Sequence, residues 1–262
     1  MKKYLNLDAF PIDRPGDESY RALVARCRTD LEQHGMFNLD GLVKTETLAK
    51  AVAQLMPKTA SESFTHQRLH NVYFKRCVEG MPEDHPALVK FQTVNHTLCA
   101  DQLAGNPVMR IYEWPLLARF LAETMGKQDL FTMNDPLARV NVMAYREGET
   151  LNWHFDRSEF TTTLLLQAPE AGGEFEYRTN LRSADDPNYD GVARLLAGDD
   201  AGKKSINVVP GTLNVFRGIN TPHRVTKIKG SRERVIAVFS YYDRPDVMFS
   251  EEEQVGFYGR SA

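Results

Sequence analysis

The 262-residue sequence is short of cysteine, of excess charge of either sign and of long apolar runs. The three cysteines, Cys27, Cys77 and Cys99, are an odd number, widely spaced and without a C-x-x-C pair. That excludes a disulfide scaffold and a thiolate metal knuckle, and it points to a reducing compartment with the thiols as buried packing. With 32 basic and 35 acidic residues the net charge is −3, so there is no electrostatic ground for a nucleic-acid or anionic-membrane partner. No stretch reaches the length of a membrane span. The opening MKKYLNLDAF has two lysines but no apolar segment of signal-peptide length. The expectation is a soluble cytoplasmic protein without repeats or low-complexity tracts. Its apolar fraction of 42% is enough for a large core.

The pattern changes character along the chain. Residues 1–138 read as mainly helical, with Leu23, Val24, Cys27 and Leu31 at helical spacing over residues 20–33 and Gly35 as a stop. Further helices are expected over 45–55, closed by Pro57, then over 85–103 and over 114–125, ended by Gly126. From residue 139 the period becomes two. Eight strand candidates follow, at 139–145, 151–156, 161–167, 173–177, 205–209, 212–216, 223–227 and 234–242, punctuated by turns such as Gly172-Gly173 and Pro210-Gly211. The fold expected is mainly β, a double-stranded β-helix (jelly roll) core over 139–245 buttressed by the N-terminal helices. One compound domain spans 1–262, with 246–262 as a C-terminal tail. The polar, acid-rich interruption at 179–204 is either a solvated excursion or a lid over a site.

Chemistry gathers in the β region. In Asn152-Trp153-His154-Phe155-Asp156, His154 and Asp156 are two apart and share a strand face, leaving Trp153 and Phe155 for a covering layer. His223 heads the seventh strand candidate. In a jelly roll, the end of the second strand and the start of the seventh lie side by side at one mouth. Two imidazoles and one carboxylate on a triangular face suit non-haem Fe(II) with positions left open, although the donor set alone would also take zinc or manganese. Arg232 and Arg234 share the parity of Ile236 and Val238, so one or both enter the apolar interior. There a guanidinium needs an anion and can grip a carboxylate with two parallel hydrogen bonds.

With H-x-D, the run VVPGTLNVF, a distal His and an Arg about ten residues beyond it in one order, residues 139–243 resemble the Fe(II)/2-oxoglutarate-dependent oxygenases. The resemblance implies His154, Asp156 and His223 as iron ligands. It implies Arg234 on the far carboxylate of 2-oxoglutarate, with Arg232 in reserve and Tyr145 as a second contact, and O2 as cosubstrate. The helical half, the stretch 112–135 and the closing Gly-Phe-Tyr-Gly-Arg are similar to a smaller branch of radical halogenases and hydroxylases acting on free amino acids such as lysine. In the halogenases of that branch a small residue replaces the acid of H-x-D and chloride fills the vacancy. Asp156 closes that position here, so hydroxylation is the outcome implied.

A small-molecule amino-acid substrate needs a cation for its carboxylate and an acid for its ammonium. Arg157, Glu159, Arg76, His66 and His70 are the candidates; the spacing of His66 and His70 alone is read as chance. Rival readings are a halogenase or desaturase outcome, a protein side-chain hydroxylase, and a non-catalytic jelly-roll metal-binding module.

Overall fold

Strand Val140–Tyr145 shows how the layers arise in the computed structural model, which describes all 262 residues. Its side chains alternate. Val140, Val142 and Ala144 join a core of 35 buried residues shared with the helices, while Asn141, Met143 and Tyr145 line an internal chamber. Strand Arg234–Phe239 repeats the pattern, with Val235, Ala237 and Phe239 toward the helices and Arg234, Ile236 and Val238 toward the chamber. Each Val or Leu buried on the helical side contributes about 1.5–3 kcal/mol. A one-residue slip would put Arg234 into that core, so the register is strongly fixed.

The major sheet has seven antiparallel strands, in the order Met36–Leu39, Leu213–Phe216, Thr161–Gln167, Arg234–Phe239, Val140–Tyr145, Phe91–Leu98, Phe64–His70. The minor sheet has four, in the order Lys204–Ile206, Phe175–Tyr177, His223–Val225, Leu151–His154. Tyr145 and Phe216 from the first pack with Phe175 and Val225 from the second, closing the β-roll around the chamber. All eight expected strand segments are present, most of them shorter than read. Helices Glu18–His34, Thr45–Ser61 and Pro115–Met125 cover the outer face of the major sheet. No helix is long and apolar enough to cross a membrane.

The N-terminal half departs from its mainly helical reading. Residues 85–103 are not one helix. They form a short turn of 3₁₀ helix at Pro86–Leu88, strand Phe91–Leu98 and a second 3₁₀ turn at Ala100–Leu103. The strand is fixed by partners on both sides, Phe64–His70 and Val140–Tyr145, and this long-range pairing overrides an ambiguous local pattern. Nor does Pro57 close its helix, which runs on to Ser61 because buried Ala51, Leu55 and Thr59 continue one packed stripe past the proline. Cys27 and Cys99 are buried as expected, whereas Cys77 is exposed.

The 179–204 interruption is neither fully solvated nor without structure. Asn188 caps helix Tyr189–Ala197, whose Val192 and Leu195 pack against Val72, Tyr73, Trp153 and Phe155. The cover over Trp153 and Phe155 therefore comes from this insert and the segment around residue 72, not from the N-terminal helices. At the other end of the chain, helix Glu251–Tyr258 closes one side of the chamber with Phe257 and Tyr258. Asp135, fully buried, ties it down: Oδ2 accepts from Phe249 N and Gln254 Nε2, and Oδ1 from Leu137 N and Ala138 N.

Candidate active site

His154 and His223 meet because their strands pair, His223 standing opposite His154 in register with ring centroids 4.2 Å apart. Nδ1 of His154 lies 2.8 Å from the carbonyl oxygen of Asn152, and Nδ1 of His223 lies 3.0 Å from that of Thr221. A carbonyl only accepts, so each Nδ1 carries the proton and each Nε2 presents a lone pair. Both lone pairs are turned toward Asp156, at 3.4 Å from Oδ1 for His154 and 3.6 Å from Oδ2 for His223. One donor atom from each residue falls within 4.8 Å of the others.

Two lone pairs facing an anion repel it unless a cation sits between them. The donor set, two imidazoles whose outer nitrogens are fixed by hydrogen bonds and one carboxylate, fits a divalent first-row ion with coordination positions to spare. Protonation states agree. Burial pushes the His223 imidazole down to about 4, keeping it neutral and able to ligate. For Asp156 burial acts upward and the hydroxyl of Thr161, donating to Oδ2, acts downward; a cation held between the imidazoles and the carboxylate would favour the ionised form further. Thr161 Oγ1 donates to Oδ2 at 2.6 Å, and the Asp156 backbone N–H donates to Gly218 O at 3.1 Å. Gly218 lies so close that a Cβ there would overlap Oδ2.

Arg234 stands opposite Tyr145 on the major sheet and also faces the chamber. It is 3% exposed, and apart from burial only Tyr145 influences its ionisation; no carboxylate does. Burial lowers its guanidinium to about 10, so it remains charged at neutral pH. A buried cation without a counter-charge costs free energy unless it receives an anion, and this one has donors suited to a carboxylate. Tyr145 is fully buried beside it, its hydroxyl within 3.8 Å of Met143 Sδ.

The remaining sequence candidates separate. Arg232, expected as a reserve for Arg234, is exposed and donates to the carbonyl of Pro169; it precedes the strand, so the alternation that turns Arg234 inward does not extend to it. Arg157 lines the chamber, its guanidinium 5.4 Å from the Phe257 ring. Glu159 does not, since it is exposed and pairs with Lys127 at 2.6 Å. Arg76 is exposed and away from the chamber wall. His66 and His70 do reach the chamber, from a strand and not a helix, and between them stands Arg68, which sequence reading missed. No apolar alternation marks the run Phe64-Thr65-His66-Gln67-Arg68-Leu69-His70 as a strand; the alternation appears only in its burial. Buried His70 is held by Asn71 O at 3.0 Å and Thr93 Oγ1 at 2.9 Å, so both its ring nitrogens are already engaged. The chamber has a volume of about 340 Å³, the size of a small-molecule site.

Solved structures share this fold. An oxidoreductase of the 2OG-Fe(II) oxygenase family from Burkholderia pseudomallei superposes with a TM-score of 0.52 at 15% identity, over 84% of this chain and 91% of that one. The non-heme alpha-ketoglutarate-dependent epimerase SnoN from nogalamycin biosynthesis gives 0.58 at 13%, over 85% and 82%. A prolyl-4-hydroxylase from Pseudomonas putida gives 0.50 at 15%, over 82% and 97%. No curated protein matches by sequence. The β-roll is thus the fold seen in 2OG-Fe(II) oxygenases, and it carries a His-Asp-His cluster able to hold a metal ion. The chain belongs to the Halogenase D family, whose sequence profile matches residues 20–254.

Proposed function

We propose that this chain is a non-haem Fe(II)/2-oxoglutarate-dependent dioxygenase that hydroxylates an unactivated C–H bond of a small molecule. The observation that carries the reading is the placement, in one chamber, of two imidazole lone pairs aimed at a carboxylate and a buried guanidinium without a counter-charge. His154, Asp156 and His223 would hold the iron, and Arg234, with Tyr145 beside it, the far carboxylate of 2-oxoglutarate. Bound there, ion and cosubstrate supply the oxidising chemistry, in which O2 and 2-oxoglutarate are consumed, succinate and CO2 are released and one oxygen enters the substrate. The chain's own part is placement and exclusion. Asn152 and Thr221 carbonyls fix the imidazole orientation, Thr161 and Gly218 fix the carboxylate, and Phe257 and Tyr258 close the side of the chamber.

The family's name favours a second reading, halogenation. A halide would have to occupy a coordination position, and Asp156 fills one. Its hydrogen bond from Thr161 and its packing against Gly218 hold the carboxylate in that place, which supports hydroxylation. SnoN in complex with Fe3+ and alpha ketoglutarate shows a protein of this fold holding both groups. The substrate expected from sequence is a free amino acid, and Arg157 at the chamber wall supports a carboxylate on it. One compound domain over 1–262 is supported by the core that the helices share with the β-roll strands.

The test is to incubate the protein with Fe(II), 2-oxoglutarate and O2 against a panel of small carboxylic and amino acids, measuring succinate and product mass. Substrate-dependent succinate with one added oxygen is expected. Incorporation of chloride in its place would establish the halogenase reading, and no succinate under any condition would refute both.

A further inference from the structure

Beyond Asp156, the residues lining the chamber include no carboxylate. They do include three arginines, Arg68, Arg157 and Arg234, with His66 and His70 alongside. A divalent iron and a dianionic 2-oxoglutarate would cancel one another in formal charge. Three guanidinium charges against one carboxylate then leave the chamber two positive charges in excess. Arg234 would be satisfied by the cosubstrate, so the excess resides on Arg68 and Arg157.

These two line the same chamber as the His-Asp-His cluster. Arg68 is half-buried, its guanidinium 4.6 Å from the centre of the Phe74 ring, and that ring is 6.0 Å from the His154 ring. Arg157 follows Asp156 directly and rests near Phe257. Neither forms a salt bridge or donates a side-chain hydrogen bond to protein, and both line the same chamber. Burial first, then the Arg157 charge, lower the Arg68 guanidinium from its ordinary value. Two like charges on one chamber wall without a counter-charge, Arg68 half-buried and Arg157 exposed, repel each other. An anion bridging them removes that cost, and aromatic faces behind both guanidiniums hold them in place.

We infer that Arg68 and Arg157 form an anion subsite at the chamber wall, and that the substrate is an acidic small molecule, a dicarboxylate or an acidic amino acid, and not a basic one. This rests on the oxygenase reading above and narrows its substrate class. An ammonium side chain would enter a chamber with two cations in excess and no free carboxylate, since Glu159, the acid expected to receive it, is outside and paired with Lys127. The class is thereby separated from the lysine-like substrate that the sequence resemblance implies.

The experiment is calorimetric binding to the protein loaded anaerobically with Fe(II) and 2-oxoglutarate, using L-glutamate, adipate, L-norleucine and L-lysine as probes. Glutamate or adipate should bind at least ~10-fold more tightly than lysine, as expected for charge-assisted contacts. Arg68→Gln and Arg157→Gln should each erase most of that preference, and Arg157→Asp should shift it toward lysine. Lysine binding as tightly as the acids, no measurable binding of either acid, or a preference unchanged in all three variants would overturn the subsite. The visible absorption of the Fe(II)–2-oxoglutarate pair in the same samples keeps the two readings apart. Its presence with the wrong probe preference sinks only the subsite, whereas its absence sinks the oxygenase reading itself.

Discussion

Replacing Arg234 by methionine should move stability and ligand response in opposite directions. The side chain is 3% exposed and burial holds its guanidinium at about 10, a displacement equivalent to about 3 kcal/mol by which folding disfavours the charged form. Methionine has similar length, needs no counter-charge and suits the surrounding Ile236 and Tyr145. Without ligand, Arg234→Met should therefore unfold at a higher temperature than the parent. A gain of up to about 3 kcal/mol corresponds to roughly 6 °C at about 2 °C per kcal/mol for a chain of this size. With Fe(II) under argon and 2-oxoglutarate at about a thousand times its Kd, the parent should gain about 4 kcal/mol. The variant should gain far less, because losing a buried charge-assisted pair costs about 3 kcal/mol, on the order of a 100-fold weaker Kd. Differential scanning calorimetry with and without the two ligands reads both effects. A variant less stable than the parent in the absence of ligand, or one still stabilised equally by 2-oxoglutarate, would refute the assignment of Arg234 as a charge held for the cosubstrate.

Further expectations concern the metal cluster and the chain terminus. Gly218→Ala should drive the Asp156 carboxylate from its place and reduce Fe(II) affinity as strongly as Asp156→Gly, with hydroxylation lost in both; full activity in Gly218→Ala would refute the packing argument. Thr161→Val keeps shape but removes the hydroxyl donor to Asp156, and a loss of roughly 10–100-fold in metal affinity is expected by equilibrium titration. For Asp135, burial pushes the carboxyl up but four hydrogen bonds outweigh it and hold it below its ordinary value. Its contribution to stability is thus present above the ordinary carboxylate range of about 4 and is lost as pH falls through the lower folded value. Asp135→Asn should flatten that acid limb in pH-dependent melting and loosen helix Glu251–Tyr258; an unchanged limb would show that Asp135 does not anchor it.

What the sequence made legible was the part of the chain in which one strand face is apolar. Alternation in Val140–Tyr145 and Arg234–Phe239 gave the strands, the chamber face and the inward Arg234 together. The spacing of His154 and Asp156, with the distal His223, gave a cluster that the strand register brings together. Illegible were the strands whose inward face is polar. His66, Arg68 and His70, and Thr93, Asn95 and Thr97, line the chamber, so their strands lack the apolar stripe that marks a buried face. Residues 85–103 mixed apolar spacings that suit either period, and cross-strand partners far along the chain decided the outcome. Arg232 shows the opposite limit. Parity is informative only while the strand lasts, and the strand begins at Arg234.

The most direct measurement is optical. Adding Fe(II) and then 2-oxoglutarate without oxygen should produce a weak visible charge-transfer band in the parent protein, undiminished in Arg232→Ala and absent in His154→Ala and His223→Ala. A parent protein that stays colourless, or an equally strong band after either imidazole is removed, would contradict a chelated iron at this cluster.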